Sequence, residues 1–161
     1  MAYFVPKKLP YLAPNKYYAK ILQNIFADGE TISFLQFSYQ SFLLCPFGNK
    51  LGFEFEKIAG DDLLHQRALA EAIVRLGGTP IFQNNAGVFL SGKNILPQQD
   101  LQTMILQNIA LKEQMIIDYK MALSKIENKI LQKLLQSIVQ DEEFHLQNLK
   151  KFVKNIKTPS K

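Results

Sequence analysis

Asp62-Leu63-Leu64-His65 and Glu142-Glu143-Phe144-His145 contain the only two histidines of the chain, and each lies within a long stretch of helical pattern. Residues three apart share one face of a helix. Each motif therefore presents a carboxylate oxygen and an imidazole nitrogen to a common point. Four-helix bundles hold dinuclear metal centres with two such motifs, joined by carboxylates from two further helices. One acid-x-x-His match alone is more often a solvated surface pair. Two matches that use every histidine in the chain are harder to reach by accident.

The stretches around the motifs read as helices. Residues 53 to 76 carry Ile58, Leu64, Leu69, Ile73 and Leu76 on one face and end at Gly77-Gly78-Thr79-Pro80, a strong stop signal. Residues 128 to 156 carry Leu131, Leu134, Leu135, Ile138, Leu146, Leu149 and Val153. Upstream, residues 16 to 27 read as a short helix. Asp28-Gly29 is expected to interrupt it and to cap a second segment, 30 to 45, which ends before Pro46. A third long helix is expected from 98 to 125, with Ile105, Ile109, Ile116, Tyr119 and Leu123 as its stripe. Residues 79 to 97 lack helical periodicity and hold Pro80, Gly87, Gly92 and Pro97. So long a connection makes sense if the second and third helices run parallel, because the chain must then travel the bundle's length, roughly 30 Å for a 20-residue helix. The expected fold is an all-α, ferritin-like antiparallel four-helix bundle with one long crossover and a short N-terminal helix. It forms a single domain with its core over residues 16 to 156 and an extended segment before it.

Composition narrows the remaining possibilities. At 161 residues, 47% of them apolar, the chain suits one domain with a proper core. Cys45 is the only cysteine, so no intrachain disulfide forms, and a reducing, cytoplasmic setting is expected. Pro6, Pro10 and Pro14 break the N-terminal segment, which lacks the continuous apolar core of a signal peptide. No run approaches the roughly 18 to 20 apolar residues of a membrane span. The net charge of +5 comes from dispersed lysines, with a cluster at Lys150, Lys151, Lys154, Lys157 and Lys161 beside the negative end of the last helix dipole. A nucleic-acid surface would combine a basic stripe with stacking aromatics, and none is seen.

A divalent iron or manganese pair takes hard carboxylate oxygens with a few imidazoles. The chain supplies Glu30, Asp62, His65, Glu142 and His145. Glu30 shares its helix face with Phe34, Phe37 and Leu44, a costly place for an acid unless it is paired or liganded.

With these residues in view, the chain resembles the ferritin-like superfamily, in particular the branch of rubrerythrins, manganese catalases and related spore-coat proteins. GETISFLQFSYQSFLL (29 to 44) resembles that branch's first metal helix, and IAGDDLLHQRALAEAIVRLGGTP (58 to 80) its Glu-x-x-His helix. IALKEQMIIDYKMALSKI and LLQSIVQDEEFHLQNL resemble its second helix pair. The resemblance implies two metals held by four acids and two histidines. Two positions depart from it. Asp62 stands where the family has Glu. Counting back from Ile116 and Tyr119 in the register of Glu30, Phe34 and Phe37 puts the fourth acid at position 112, which is Lys112. Its neighbour Glu113 lies about 100° round the helix and could join the cluster only through a rotation or a π-bulge. With Lys112 in place the inward charges sum to −3 + 1 = −2, enough for one divalent ion. One ion, two, or none therefore stay open as cofactor. Tyr119 occupies the matching place in the second pair, and a buried phenol finds a hydrogen-bond partner.

The resemblance implies redox chemistry on hydrogen peroxide or O2, of peroxidase, catalase or ferroxidase type. The chain lacks the Cys-x-x-Cys pairs of a built-in electron relay. The alternative is a non-catalytic scaffold, spore-coat-like, in which Lys112 offsets the leftover acids. Iron storage is a weaker third reading. A homo-oligomer is expected as partner state, with no nucleic acid and no membrane. Spore association is the alternative location.

Overall fold

The computed structural model describes residues 7–97 and 100–157. Asn15 caps α1 (Lys16–Asn24), its side chain accepting from the Tyr18 amide at 3.0 Å. The chain continues without a break through a π-helical segment, Ile25–Thr31, into α2 (Ile32–Leu44). The interruption expected at Asp28-Gly29 is thus a change of helical pitch. No cap forms there, and the Thr31 hydroxyl bonds back to the Phe26 carbonyl at 2.7 Å. A short turn of 3-10 helix, Cys45–Phe47, and Gly48 at φ 65° reverse the chain. Then follows α3 (Lys50–Arg75), which packs along α2. Gly52 makes that approach possible: a Cβ there would lie 2.7 Å from Leu44 Cβ and 2.8 Å from the Cys45 nitrogen.

Helix α3 ends as its Gly-Gly signal predicts. Gly77 takes φ 84°, and the Gly78 amide donates back to the Ile73 carbonyl at 2.9 Å. The crossover then runs along the first long helix. Gln23 donates to the carbonyls of Ile81 and Gln83, at 2.6 and 2.9 Å. Thirteen residues further along, Gln36 accepts from the Leu96 amide at 2.7 Å. A lone bridge between Gln83 and Phe89 folds the loop on itself, and Phe82 stacks on Phe26. Asp100 caps α4 (Leu101–Lys125), and α5 (Lys129–Lys157) returns against it. The start expected for the third helix at residue 98 lies outside the described residues, as do residues 1–6 and Lys161. Among the described residues no helix is long and apolar enough to cross a membrane.

Two apolar clusters fill the bundle. One holds Leu22, Leu69, Ile73, Leu135 and Ile138, closed over by Leu9 and Leu12 from the N-terminal segment. The other holds Phe37, Leu51, Phe55, Ile58, Ile105 and Leu149, with Phe37 and Phe55 edge to face at 5.3 Å. Each fully buried Leu, Ile or Phe contributes about 1.5–3 kcal/mol. Between the clusters lies a layer of buried polar side chains: Glu30, Ser33, Asp62, His65, Lys112, Asp141, Glu142 and His145.

Candidate metal centre

Each long helix sends side chains into this layer. Glu30 comes from the π-helical segment, where the wider turn keeps Ile25, Phe26, Ala27, Gly29, Glu30 and Thr31 all buried. Asp62 and His65 come from α3, Lys112 and Tyr119 from α4, Glu142 and His145 from α5. One donor atom each from Glu30, Asp62, His65 and Glu142 lies within 4.8 Å of all the others. His145 faces the same layer, its Nδ1 3.8 Å from Glu142 Oε1 and 4.0 Å from Asp62 Oδ1.

Lys112 is wholly buried, with its Nζ 2.7 Å from Asp62 Oδ1 and 2.7 Å from Glu142 Oε2. It also sits 5.3 Å from the centre of the Phe37 ring, within cation–π range. Burial alone would favour a neutral amine, but Asp62, Glu142 and Glu30 outweigh it and hold the ammonium above its ordinary pKa. The two carboxylates that share this cation separate in strength. Burial raises Asp62 to about 7, against the pull of Lys112. Glu142 is held well below its ordinary value, because Lys112 and both imidazoles together overcome its burial. Asp62 is further bonded by the Ser33 hydroxyl, and the Tyr119 hydroxyl donates to Glu30 Oε1. Burial and the facing Glu30 push that phenol well above its usual range.

Both imidazoles are oriented from the opposite helix. His65 turns Nδ1 to Glu142 Oε1 at 3.1 Å and Nε2 to Asp141 Oδ2 at 3.1 Å. His145 turns Nε2 to Asp61 Oδ2 at 3.0 Å. A carboxylate on the outer ring nitrogen fixes the ring and its tautomer, as it does behind many metal-binding histidines. Asp61 and Asp141 each stand one residue before the inward acid. The pattern is therefore acid-acid-x-x-His in both helices, and the acid-x-x-His reading stops one residue short of it. Burial opposes charging either ring. The surrounding carboxylates prevail, holding His65 well above its ordinary value and His145 at about 9.

Glu113 lies outside the layer. It is half exposed and pairs with Lys150 at 2.8 Å. Helix α4 stays regular there, so the bulge that would have turned Glu113 inward is absent, and the π-helical turn occurs in the first long helix instead.

The donor set fits one divalent ion and does not fit two. Four close donors converge, and Glu30 Oε2 is buried with no hydrogen-bond partner. Two ions would require a fourth carboxylate, and the ammonium of Lys112 stands in its place, in contact with the two acids a second ion would need.

A four-helix bundle with one long crossover and a carboxylate–histidine layer at mid-length is a ferritin-like protein. The rubrerythrin family model matches residues 50–153, and the chain belongs to that family. Among solved structures it is similar to KatB, a manganese catalase from Anabaena PCC7120, at TM-score 0.84 and 18% identity, covering 98% of this chain and 82% of that one. A second structure, of wild-type KatB from Anabaena, gives TM-score 0.83 and 19% identity, covering 95% and 80%. At such identities the likeness shows the fold. No curated protein matches the chain in sequence.

Proposed function

We propose that this chain binds a single iron or manganese ion on Glu30, Asp62, His65 and Glu142 and serves redox chemistry on hydrogen peroxide or dioxygen. The observation that carries this is the convergence of those four donors, together with a buried Glu30 oxygen that has no hydrogen-bond partner. When bound, either metal supplies a centre that cycles between oxidation states, and both accept this ligand chemistry. The protein's part is to hold the donors. Asp141 orients His65, Tyr119 anchors Glu30, and Lys112 balances the charge that a second cation would otherwise neutralise. With one cysteine and no Cys-x-x-Cys pair in this sequence, the chemistry is either disproportionation of peroxide, which needs no donor, or reduction by an outside donor.

The test is elemental analysis of chain purified, stripped and reloaded with iron or manganese, followed by peroxide consumption. One ion per chain with peroxide turnover supports the reading. Two tightly held ions reject the role given to Lys112. One ion without turnover of peroxide or dioxygen removes the redox part.

A second reading has its own observation. Lys112, Ser33, Tyr119 and His65 give each inward carboxylate at least one partner without any ion. A non-catalytic scaffold would need no more. Phe42 and Phe47, 72% and 86% exposed near the α2–α3 turn, would offer a second copy an apolar surface. A chain that binds no iron or manganese and runs as a dimer in light scattering would establish this alternative.

A further inference from the structure

We infer that the groove between α3 and α5 is the route by which a divalent cation reaches the buried layer, with Asp61 and His145 at its inner end; this rests on the metal-binding reading above. A cavity of about 550 Å³ opens on this face. It is lined by Glu54, Ile58 and Asp61 of α3 and by Phe144, His145 and Asn148 of α5. A water occupies roughly 30 Å³, so the space admits a cation with its hydration shell.

The inner end is a pair that straddles the boundary between solvent and core. The Asp61 side chain is 23% exposed, whereas His145 is 2% exposed. Asp61 holds His145 Nε2 from the groove side. The other nitrogen, Nδ1, is buried, has no hydrogen-bond partner and lies near both Asp62 and Glu142. The ring thus joins the groove to two of the four converging donors.

Charge points the same way. Glu54 and Asp61 line the groove; the cations there are Lys57, whose side chain is 76% exposed and 4.0 Å from Glu54, and the His145 ring that Asp61 holds. Ile58 and Phe144 supply low-dielectric walls. Carboxylates set between apolar walls in a concave surface give an arriving cation its first oxygen partners. A second cavity, lined by Ile21, Asn24, Asp118 and Met121 between α1 and α4, includes no residue of the buried layer.

Stopped-flow mixing of metal-free protein with cobalt(II), followed by the visible absorption of the bound ion, tests the route. Asn148→Trp fills the groove and alters no converging donor. Its uptake rate is expected to fall at least about tenfold, as blocked access lowers association rates, with cobalt per chain at equilibrium unchanged. Asp118→Trp, in the second cavity, is expected to load at the wild-type rate. Wild-type uptake by an Asn148→Trp protein with native circular dichroism overturns the route, as does equal slowing by Asp118→Trp.

If the wild-type chain takes up no cobalt, the metal-binding reading fails by itself, and the groove is tested without metal. In a Cys45→Ser background, Phe144→Cys, at a half-buried groove position, is expected to react faster with a cationic methanethiosulfonate than with an anionic one, and Asn148→Trp to protect it. No reaction, or preference for the anion, overturns the inference.

Discussion

Replacing Lys112 by methionine keeps most of the side-chain volume and removes the charge that two buried carboxylates share. At an effective dielectric near 20, a pair of unit charges about 4 Å apart attracts by about 4 kcal/mol, so two contacts give a gross loss of about 8 kcal/mol. Relief of the lysine's own desolvation, several kcal/mol, offsets part of it, which agrees with the about 3–5 kcal/mol found on breaking buried pairs. Against a total stability of about 5–15 kcal/mol this is severe. One kcal/mol moves the midpoint of a domain this size by about 2–4 °C, so a drop of roughly 6–20 °C is expected. The loss depends on pH in a definite direction. Without the ammonium, the Asp62 and Glu142 carboxyls rise above their unfolded pKa values and the folded variant binds more protons than the unfolded chain. Stability then falls as pH rises, so the deficit is large at pH 8 and shrinks toward pH 5. The assay is urea unfolding of metal-free wild type and Lys112→Met at both pH values, followed by circular dichroism. A deficit below about 1 kcal/mol at pH 8, the scale of an exposed pair, would show that Lys112 does not bridge the carboxylates. So would a deficit that fails to shrink in acid.

Lys112→Glu adds the fourth carboxylate, making the inward charge −4, and should raise bound manganese from one ion to two per chain by elemental analysis; no gain would place position 112 outside the centre. Asp141→Asn removes the carboxylate behind His65 and should weaken manganese binding by about 10- to 100-fold in calorimetry, with the fold retained. His145, held at about 9 in the metal-free fold against 6.5 in the free side chain, contributes stability that is complete below pH 6.5 and lost as pH rises through 9. The loss should be on the order of 3 kcal/mol, and His145→Asn should lack that slope in urea titrations. Gly52→Ala drives a methyl into Leu44 and the Cys45 backbone and should cost about 1–3 kcal/mol, read as a lower urea midpoint with unchanged slope.

The bundle was legible because its helices carry long apolar stripes with unambiguous ends. Gly77-Gly78 stops α3 where the sequence says, and the aperiodic stretch after it is the crossover. Lys112 was legible by register, since Ile105, Ile116 and Tyr119 fix one face of a regular α-helix. Register reasoning failed where the helix itself changes pitch. Asp28-Gly29 carries the signature of a break, yet apolar neighbours on every side keep the segment buried and helical, and the chain absorbs the mismatch as a π turn. The same reasoning considered a bulge beside Glu113, where Lys150 supplies a surface partner and nothing draws the carboxylate inward. Asp61 and Asp141 carry no signal of their own in the sequence, because the bonds that define them cross between helices far apart in sequence.

Those crossed bonds tie the halves of the chain to each other. The ring on α3 takes its orientation from α5, and the ring on α5 takes its from α3. Each ring's shortest carboxylate bonds cross between the hairpins, so the ligand-ready geometry is complete only when the two are docked. An intact centre therefore reports that the whole bundle has closed.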